Sequence, residues 1–455
     1  MNQPAWTKTR VLLSSALVLS LAAVASALLR PRPVLPKKDP VITVTDGVRL
    51  EGRISHVAVA ETGTDLFAEY TVTLEPGALE APRHVALALV MDRSGSMSGE
   101  KMIDARRAAH RMVELLNDGD ELAVISFGSD VTAGARRVVD ATTRPLFHRE
   151  IDGIEASGAT FLSGGVEAGR AALAEATGAR RLVVVSDGHP TQGLVDAPAL
   201  ADLVGQVHAQ AITVTALGVG ADYDGNFMQH LAEVGGGMYG YLKDASTLEE
   251  VLGQEVSAAR QAVARNVSLR LSSQDFTFVD APGRHLRFVG SDTYELPLAD
   301  LRPGLSTRVV VQLRSTPSVA GELARLDATV RWRPVNASEA RDASVALRSV
   351  VVDGAREAEA TRDEPTFARG LMAAGSLKML AAAAAFERGD EATANGLLDN
   401  ARSLFGMSAD ALSGQAEVEA TRADFRNADR EQRKRMSRSL EKKKLSDFGR
   451  ANEGY

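Results

Sequence analysis

The chain of 455 residues has no cysteine, 8 histidines and only 5% aromatic residues. Lack of cysteine excludes disulfides, thiolate metal sites and lipid attachment through that side chain, while fitting any redox compartment. Basic residues are outnumbered, 52 Lys and Arg against 59 Asp and Glu, and the net charge of -7 argues against a general nucleic-acid binder. Several catalytic signatures are missing as well. There is no Gly-x-x-x-x-Gly-Lys-Ser/Thr, no His-Glu-x-x-His, no Ser-His-Asp order and no recognisable pair of catalytic carboxylates. No Gly-x-Gly-x-x-Gly opens the first helix, and the acidic, hydroxyl-bearing turn found there would repel a pyrophosphate, so a Rossmann oxidoreductase is disfavoured. Gly218-Val-Gly220 and Gly235-Gly-Gly237 read more simply as turn glycines.

What the chain does have is Asp92-Arg93-Ser94-Gly95-Ser96, set directly after the apolar run from His84 to Met91 and just before a helix-like segment starting near Lys101. Oxygen clusters at the C-terminal end of a strand are ligand positions in open α/β sheets. One carboxylate and two hydroxyls at alternate positions can turn to the same side of a loop, and such hard donors suit Mg²⁺ or Mn²⁺. Asp and Ser also cap helices, so the pentapeptide alone leaves both readings open.

Two further segments bear on the choice. Ser157-Gly-Ala-Thr160 precedes a helix-like stretch from Leu162 to Ala176, and Val183-Val-Val-Ser-Asp187-Gly ends a second buried-type strand in a carboxylate. In this order and spacing the three pieces resemble the metal-ion-dependent adhesion site of the von Willebrand factor type A domain, over roughly residues 84 to 262. The resemblance implies that Ser94, Ser96 and Thr160 ligate Mg²⁺ directly, with Mn²⁺ or Ca²⁺ as alternatives, and that Asp92 and Asp187 hold metal-bound waters. It further implies an open coordination position for a carboxylate from a protein partner, in a binding module that is not an enzyme. Ala159 stands where the family often has a second glycine. His189 follows Asp187-Gly188 where a small or acidic residue is common; it could offer a nitrogen ligand or a proton, although beside Pro190 it reads as a turn residue.

The fold expected for 84 to 262 is α/β, doubly wound and Rossmann-like, because strand-like and helix-like segments alternate. Met102, Ala105, Ala109, Met112, Val113 and Leu116 recur at helical spacing. Around this region the period changes to two, in Ala68, Tyr70, Val72 and Leu74 and again in Leu326, Ala328, Val330 and Trp332. Segment 41 to 82 is too small to bury much core alone. The economical expectation is therefore one β-sandwich formed by 41–82 with 265–353, into which the type A domain is inserted, with two separate β modules as the alternative.

Residues 355 to 455 read as a helical region. Phe367 to Phe386 and Glu391 to Phe405 form a helix pair around Arg388-Gly389-Asp390, which is explained by a glycine stop and an aspartate cap. A basic tail, Arg430 to Lys444, could attract anionic lipid or an acidic protein surface, or be a solvated helix or disordered tail.

The uncharged apolar run from Val11 to Leu29 is long enough to approach a membrane span and contains Ala25-Ser-Ala27, a small-residue cleavage site. Residues 1 to 40 are thus expected to be a signal peptide or an uncleaved anchor followed by a proline-rich linker with Pro31, Pro33, Pro36 and Pro40. Export would place the folded domains at the inner membrane facing the periplasm or outside, or free them if the signal is cleaved. Two other function classes share these features: a metal-assisted hydrolase, for which the loops supply only Asp92, Asp187 and His189 as bases, and a partner subunit of an intracellular ATPase, which export would separate from ATP.

Overall fold

A computed structural model describes residues 34 to 448 apart from 78–83, 188, 221–224, 243–244, 317 and 445, so the apolar run from Val11 to Leu29 and Gly188 lie outside the described residues. The first elements are β1 (Val41–Thr45), β2 (Val48–Ile54), β3 (Ala58–Ala60) and β4 (Asp65–Leu74). In β2 every second residue is buried, Val48, Leu50, Gly52 and Ile54, which is the signature of a strand with one wet face. Asp46 and Gly47 join β1 to β2 with φ of 49° and 75°, the two left-handed positions that a tight hairpin needs.

The chain then enters an α/β unit made of β5 (Val85–Asp92), α1 (Glu100–Leu115), β6 (Glu121–Phe127), the short β7 (Val131–Ala133) and β8 (Arg137–Val138), α2 (Arg144–Asp152), α3 (Leu162–Leu173) and β9 (Ala179–Ser186). It continues through α4 (Ala197–Ala209), β10 (Ile212–Val219), α5 (Gly225–Gly235), β11 (Gly236–Leu242) and α6 (Ala245–Gln261). The sheet order is β11-β10-β9-β5-β6-β7, with β8 also on β6. Pairing is parallel from β11 through to β6, and the two short strands run antiparallel at the edge. Every residue of β5 and β10 is buried, as strands covered on both faces require. Met102, Met112, Phe147 and Val251 cover one face, while Leu162, Val166, Leu200 and Phe227 cover the other. β5 lies between β6 and β9, so the chain reverses direction across the sheet there. A cleft at the carboxyl ends of such strands is the binding position of open α/β folds.

Seven strands follow: β12 (Ala264–Ser272), β13 (Phe276–Asp280), β14 (Arg287–Gly290), β15 (Thr293–Leu298), β16 (Ser306–Ser315), β17 (Leu323–Pro334) and β18 (Arg341–Val352). They form two sheets, β1-β2-β4-β16-β13 and β14-β15-β12-β17-β18-β3. β4 pairs with β16 over nine positions, and β3 adds to β18 in parallel, so strands from before and after the α/β unit are interleaved in both sheets. Tyr70, Leu326 and Trp332 fill the space between them.

The helical C-terminal region holds α7 (Ala355–Ala360), α8 (Glu364–Glu387), α9 (Glu391–Phe405), α10 (Ser413–Asn427) and α11 (Arg430–Lys444). Only two of these five are expected from the apolar patterning of the sequence. α8 is long and apolar enough to cross a membrane by composition, yet Phe367, Leu371, Met379 and Phe386 are buried with Phe67 and Val310 of the adjoining sheet. Gly370 permits that approach, since a Cβ there would lie 2.1 Å from the Phe67 ring. Arg388-Gly389-Asp390 is a helix stop and a cap: Gly389 has φ of 80°, and Asp390 accepts from the Thr393 amide at 3.1 Å. In the basic segment Lys443 and Lys444 both pair with Glu417, at 2.7 and 2.5 Å.

Interleaving of this kind makes the flanking strands mutually dependent. Residues 265 to 353 expressed alone leave β16 without β4 and β18 without β3, and are expected to lack a cooperative melt, whereas 84 to 262 alone should melt cooperatively. Dispersed amide signals and a cooperative transition from 265–353 alone would show two separate β modules instead.

Candidate functional site

Asp92 ends β5 with none of its surface exposed. A buried carboxylate needs donors, and Asp92 has two: the Ser94 amide at 2.7 Å and the Ser186 hydroxyl at the end of β9. Burial pushes the Asp92 carboxyl up from its ordinary range, against the Ser186 and Ser94 hydrogen bonds that favour the charged form. The local turn is therefore set by the carboxylate. Ser94, pinned through its amide, precedes a short 3₁₀ turn over Gly95–Met97 that brings the Ser96 hydroxyl to 3.0 Å from the Ser94 hydroxyl.

Ser96 donates in turn to Asp187 Oδ1 at 2.8 Å, just past the end of β9. The second Asp187 oxygen takes the ammonium of Lys101 from the first turn of α1. Thr160 lies in the adjoining loop, buried, with its amide donating to Thr191 Oγ1 at 2.9 Å and its carbonyl accepting from the Thr191 amide at 3.0 Å. That loop is tied to the first by the Gly95 amide on the Gly158 carbonyl, 3.0 Å, and by the Ser157 amide on the Arg93 carbonyl, 2.6 Å. Gly158 has φ of 82°, so the backbone itself demands glycine there.

The structure thus gathers Asp92, Ser94, Ser96 and Asp187 into one hydrogen-bonded chain, with Thr160 in the loop bonded to it. His189 is exposed, with its ring 5.4 Å from that of Phe227. Arg93 turns away toward Asp130 and Ser157. Two participants are missed by sequence reasoning, Ser186 and Lys101. Ser186 reads as the last residue of a buried strand, and Lys101 as an ordinary residue near the start of a helix.

Among the described residues no group of three or more His, Asp or Glu side chains gathers as a metal cage, so a metal here would rest on serine and threonine hydroxyls. The donors fit a small, hard ion. Octahedral bonds of about 2.1 Å separate neighbouring oxygens by about 3 Å, and the Ser94 and Ser96 hydroxyls stand 3.0 Å apart.

Residues 85–241 match the von Willebrand factor type A domain family. Solved structures agree on the fold. A von Willebrand factor type A protein from Catenulispora acidiphila superposes with a TM-score of 0.64 at 16% identity, covering 86% of this chain and 92% of that one. The ArnB paralog VWA2 from Sulfolobus acidocaldarius gives a TM-score of 0.59 at 15% identity, covering 87% and 97%. Among curated relatives, the uncharacterized protein YfbK of Escherichia coli is 24% identical over 55% of this chain and 44% of its own length. Mouse inter-alpha-trypsin inhibitor heavy chain H2 is 27% identical over 45% of this chain, and the match spans only 22% of the heavy chain.

Since the raised Asp92 pKa means that the unfolded chain holds fewer protons than the folded one between the two pKa values, this group makes stability fall as pH rises from about 4, the unfolded pKa, through the folded value. In chelator, Asp92→Asn should therefore raise stability at pH 7 by about 1 kcal/mol, a usual gain on relieving a functional site, and lose the advantage near pH 4. Urea melts at the two pH values measure this. An equal offset at both would mean that the carboxylate charge is not what burial disfavours.

Proposed function

We propose that this protein is a metal-dependent binding module without catalytic activity, in which Ser94, Ser96 and Thr160 hold Mg²⁺, Asp92 and Asp187 hold its waters, and an acidic side chain of a protein partner completes the shell. The observation that carries the reading is the hydrogen-bonded chain from Asp92 through Ser94 and Ser96 to Asp187, at the carboxyl ends of two neighbouring strands. Bound there, Mg²⁺ would supply an electrophilic centre whose protein ligands are mainly neutral hydroxyls.

The chain's own residues set what such a site can do. Asp92 is committed to Ser94 and Ser186, and so fixes the loop rather than serving as a free base. Asp187 is held by Ser96 and Lys101. A hydrolase needs a base within hydrogen-bond reach of the attacking water, and both carboxylates are already engaged by donors from the protein. Type A domains are commonly protein-interaction modules, which supports binding as the role.

We further propose that the apolar run from Val11 to Leu29 directs export, leaving the binding domains in the cell envelope, held to the membrane if the run stays uncleaved. Fractionation of a tagged chain tests this: recovery in the soluble cytosolic fraction would overturn it and favour the partner subunit of an intracellular ATPase.

Calorimetry should show one Mg²⁺ or Mn²⁺ site in the wild type and none in Asp92→Ala. Pull-down from envelope extract should lose its carboxylate-bearing partner both on chelation and in Thr160→Ala, and the two losses should not add, because each removes the same contact. Unchanged recovery in chelator would show that the site is not used for capture.

A further inference from the structure

We propose that Lys101 is a built-in cation of this site: it occupies Asp187 when no metal is present, competes with the metal for that carboxylate, and by its charge strengthens the hold of the metal-loaded site on an acidic partner. The proposal rests on the metal-binding reading above.

Three features argue that Lys101 is placed for this purpose. First, its ammonium pairs with Asp187, whose side chain is 1% exposed and whose other oxygen is taken by Ser96. A carboxylate so buried needs a charged partner, and Lys101 provides it from a side chain itself only 27% exposed. Second, Lys101 is the second residue of α1, where the helix dipole favours acids and opposes a cation. A local rule broken at a site is a sign of function rather than of folding. Third, the backbone leaves room for the lysine stem: Gly220, at the end of β10, has φ of 82°, and a Cβ on it would lie 2.5 Å from Lys101 Cε. Any other residue at that position would be strained and would press on the stem.

The charges then decide the consequence. With both carboxylates ionised, Asp92, Asp187 and Lys101 together carry one negative charge. A divalent ion takes the site to plus one, and a partner carboxylate returns it to zero. Without Lys101 the metal-loaded site is already neutral before any partner arrives. Lys101 therefore weakens metal binding and strengthens carboxylate capture, each by roughly tenfold for charges a few ångströms apart in a partly screened site. Arg93, the other cation in the motif, is engaged with Asp130 and does not substitute for it.

The test uses the full chain in detergent with Lys101→Met, which keeps the apolar stem, and Lys101→Gln as a second variant. Calorimetric titration with Mn²⁺ and Mg²⁺ should give roughly tenfold tighter binding in both variants. Thermal melts in chelator should show both variants less stable than the wild type, since Asp187 loses its partner, with the difference closing when metal is added. Acetate, read by relaxation of its methyl protons at the Mn²⁺-loaded protein, should bind several-fold more weakly to the variants. If the wild type binds metal and both variants bind it equally or more weakly, the proposal fails while the metal site stands. If none of the three proteins binds metal, the metal reading fails and the proposal falls with it.

Discussion

The arrangement at the strand ends depends on one constraint: the carboxylate of Asp92 is fully buried and must be satisfied where it stands. Its two donors come from different places, the Ser94 amide in the next turn and the Ser186 hydroxyl at the end of the neighbouring strand. One group therefore fixes both the path of the loop after β5 and its registration against β9. The Ser94 and Ser96 hydroxyls, the Asp187 carboxylate and the loop carrying Thr160 inherit their positions from it. The buried charge is unfavourable to the fold and is tolerated because the turn it enforces cannot be held by an apolar side chain.

A second set of buried charges joins the α/β unit to the sandwich. Arg181 on β9 lies 3.3 Å from Glu255 of α6 and 3.0 Å from Asp300, which also accepts from Thr213 Oγ1 at 3.1 Å. All four are buried. Ion pairs of this kind add little net stability over a packed apolar core, but removal of one member leaves an unpaired charge that costs about 3–5 kcal/mol. Their contribution is thus to orientation. Arg181 and Thr213 lie on strands of the parallel sheet and Asp300 follows β15, so these bonds tie the two bodies directly to each other.

Much of this was legible in the sequence, and the part that was not has a physical pattern. Glu391 to Phe405 is bounded as a helix at the residues its apolar spacing and the Asp390 cap indicate. α10 was missed because its buried residues, Gly414, Val418, Thr421 and Phe425, are mostly small or polar, so its spacing carries little hydrophobic signal. Asp92, Ser94, Ser96, Thr160 and Asp187 stand out through the resemblance of their three segments to the type A adhesion-site motif. Ser186 and Lys101 do not, because what defines them is the partner they meet, and a contact between residues separated by 86 or 94 positions leaves no local pattern.

The direction in which the site faces follows from where the α/β unit joins the rest of the chain. It is entered at Val85, the first residue of β5, whose amide donates to Asp120 Oδ1 at 2.9 Å; Arg260, at the end of α6, reaches the other Asp120 oxygen at 2.6 Å. Arg265, just beyond, donates to the Gly178 carbonyl at the start of β9, at 2.6 Å. Entry and exit therefore lie together at the amino ends of the parallel strands. Asp92 and Asp187 lie at the carboxyl ends, one strand length away, about 26 Å for eight residues at about 3.3 Å each. The sandwich consequently holds the α/β unit by the edge opposite the loops that carry Asp92 and Asp187, and those loops are left directed away from the attachment.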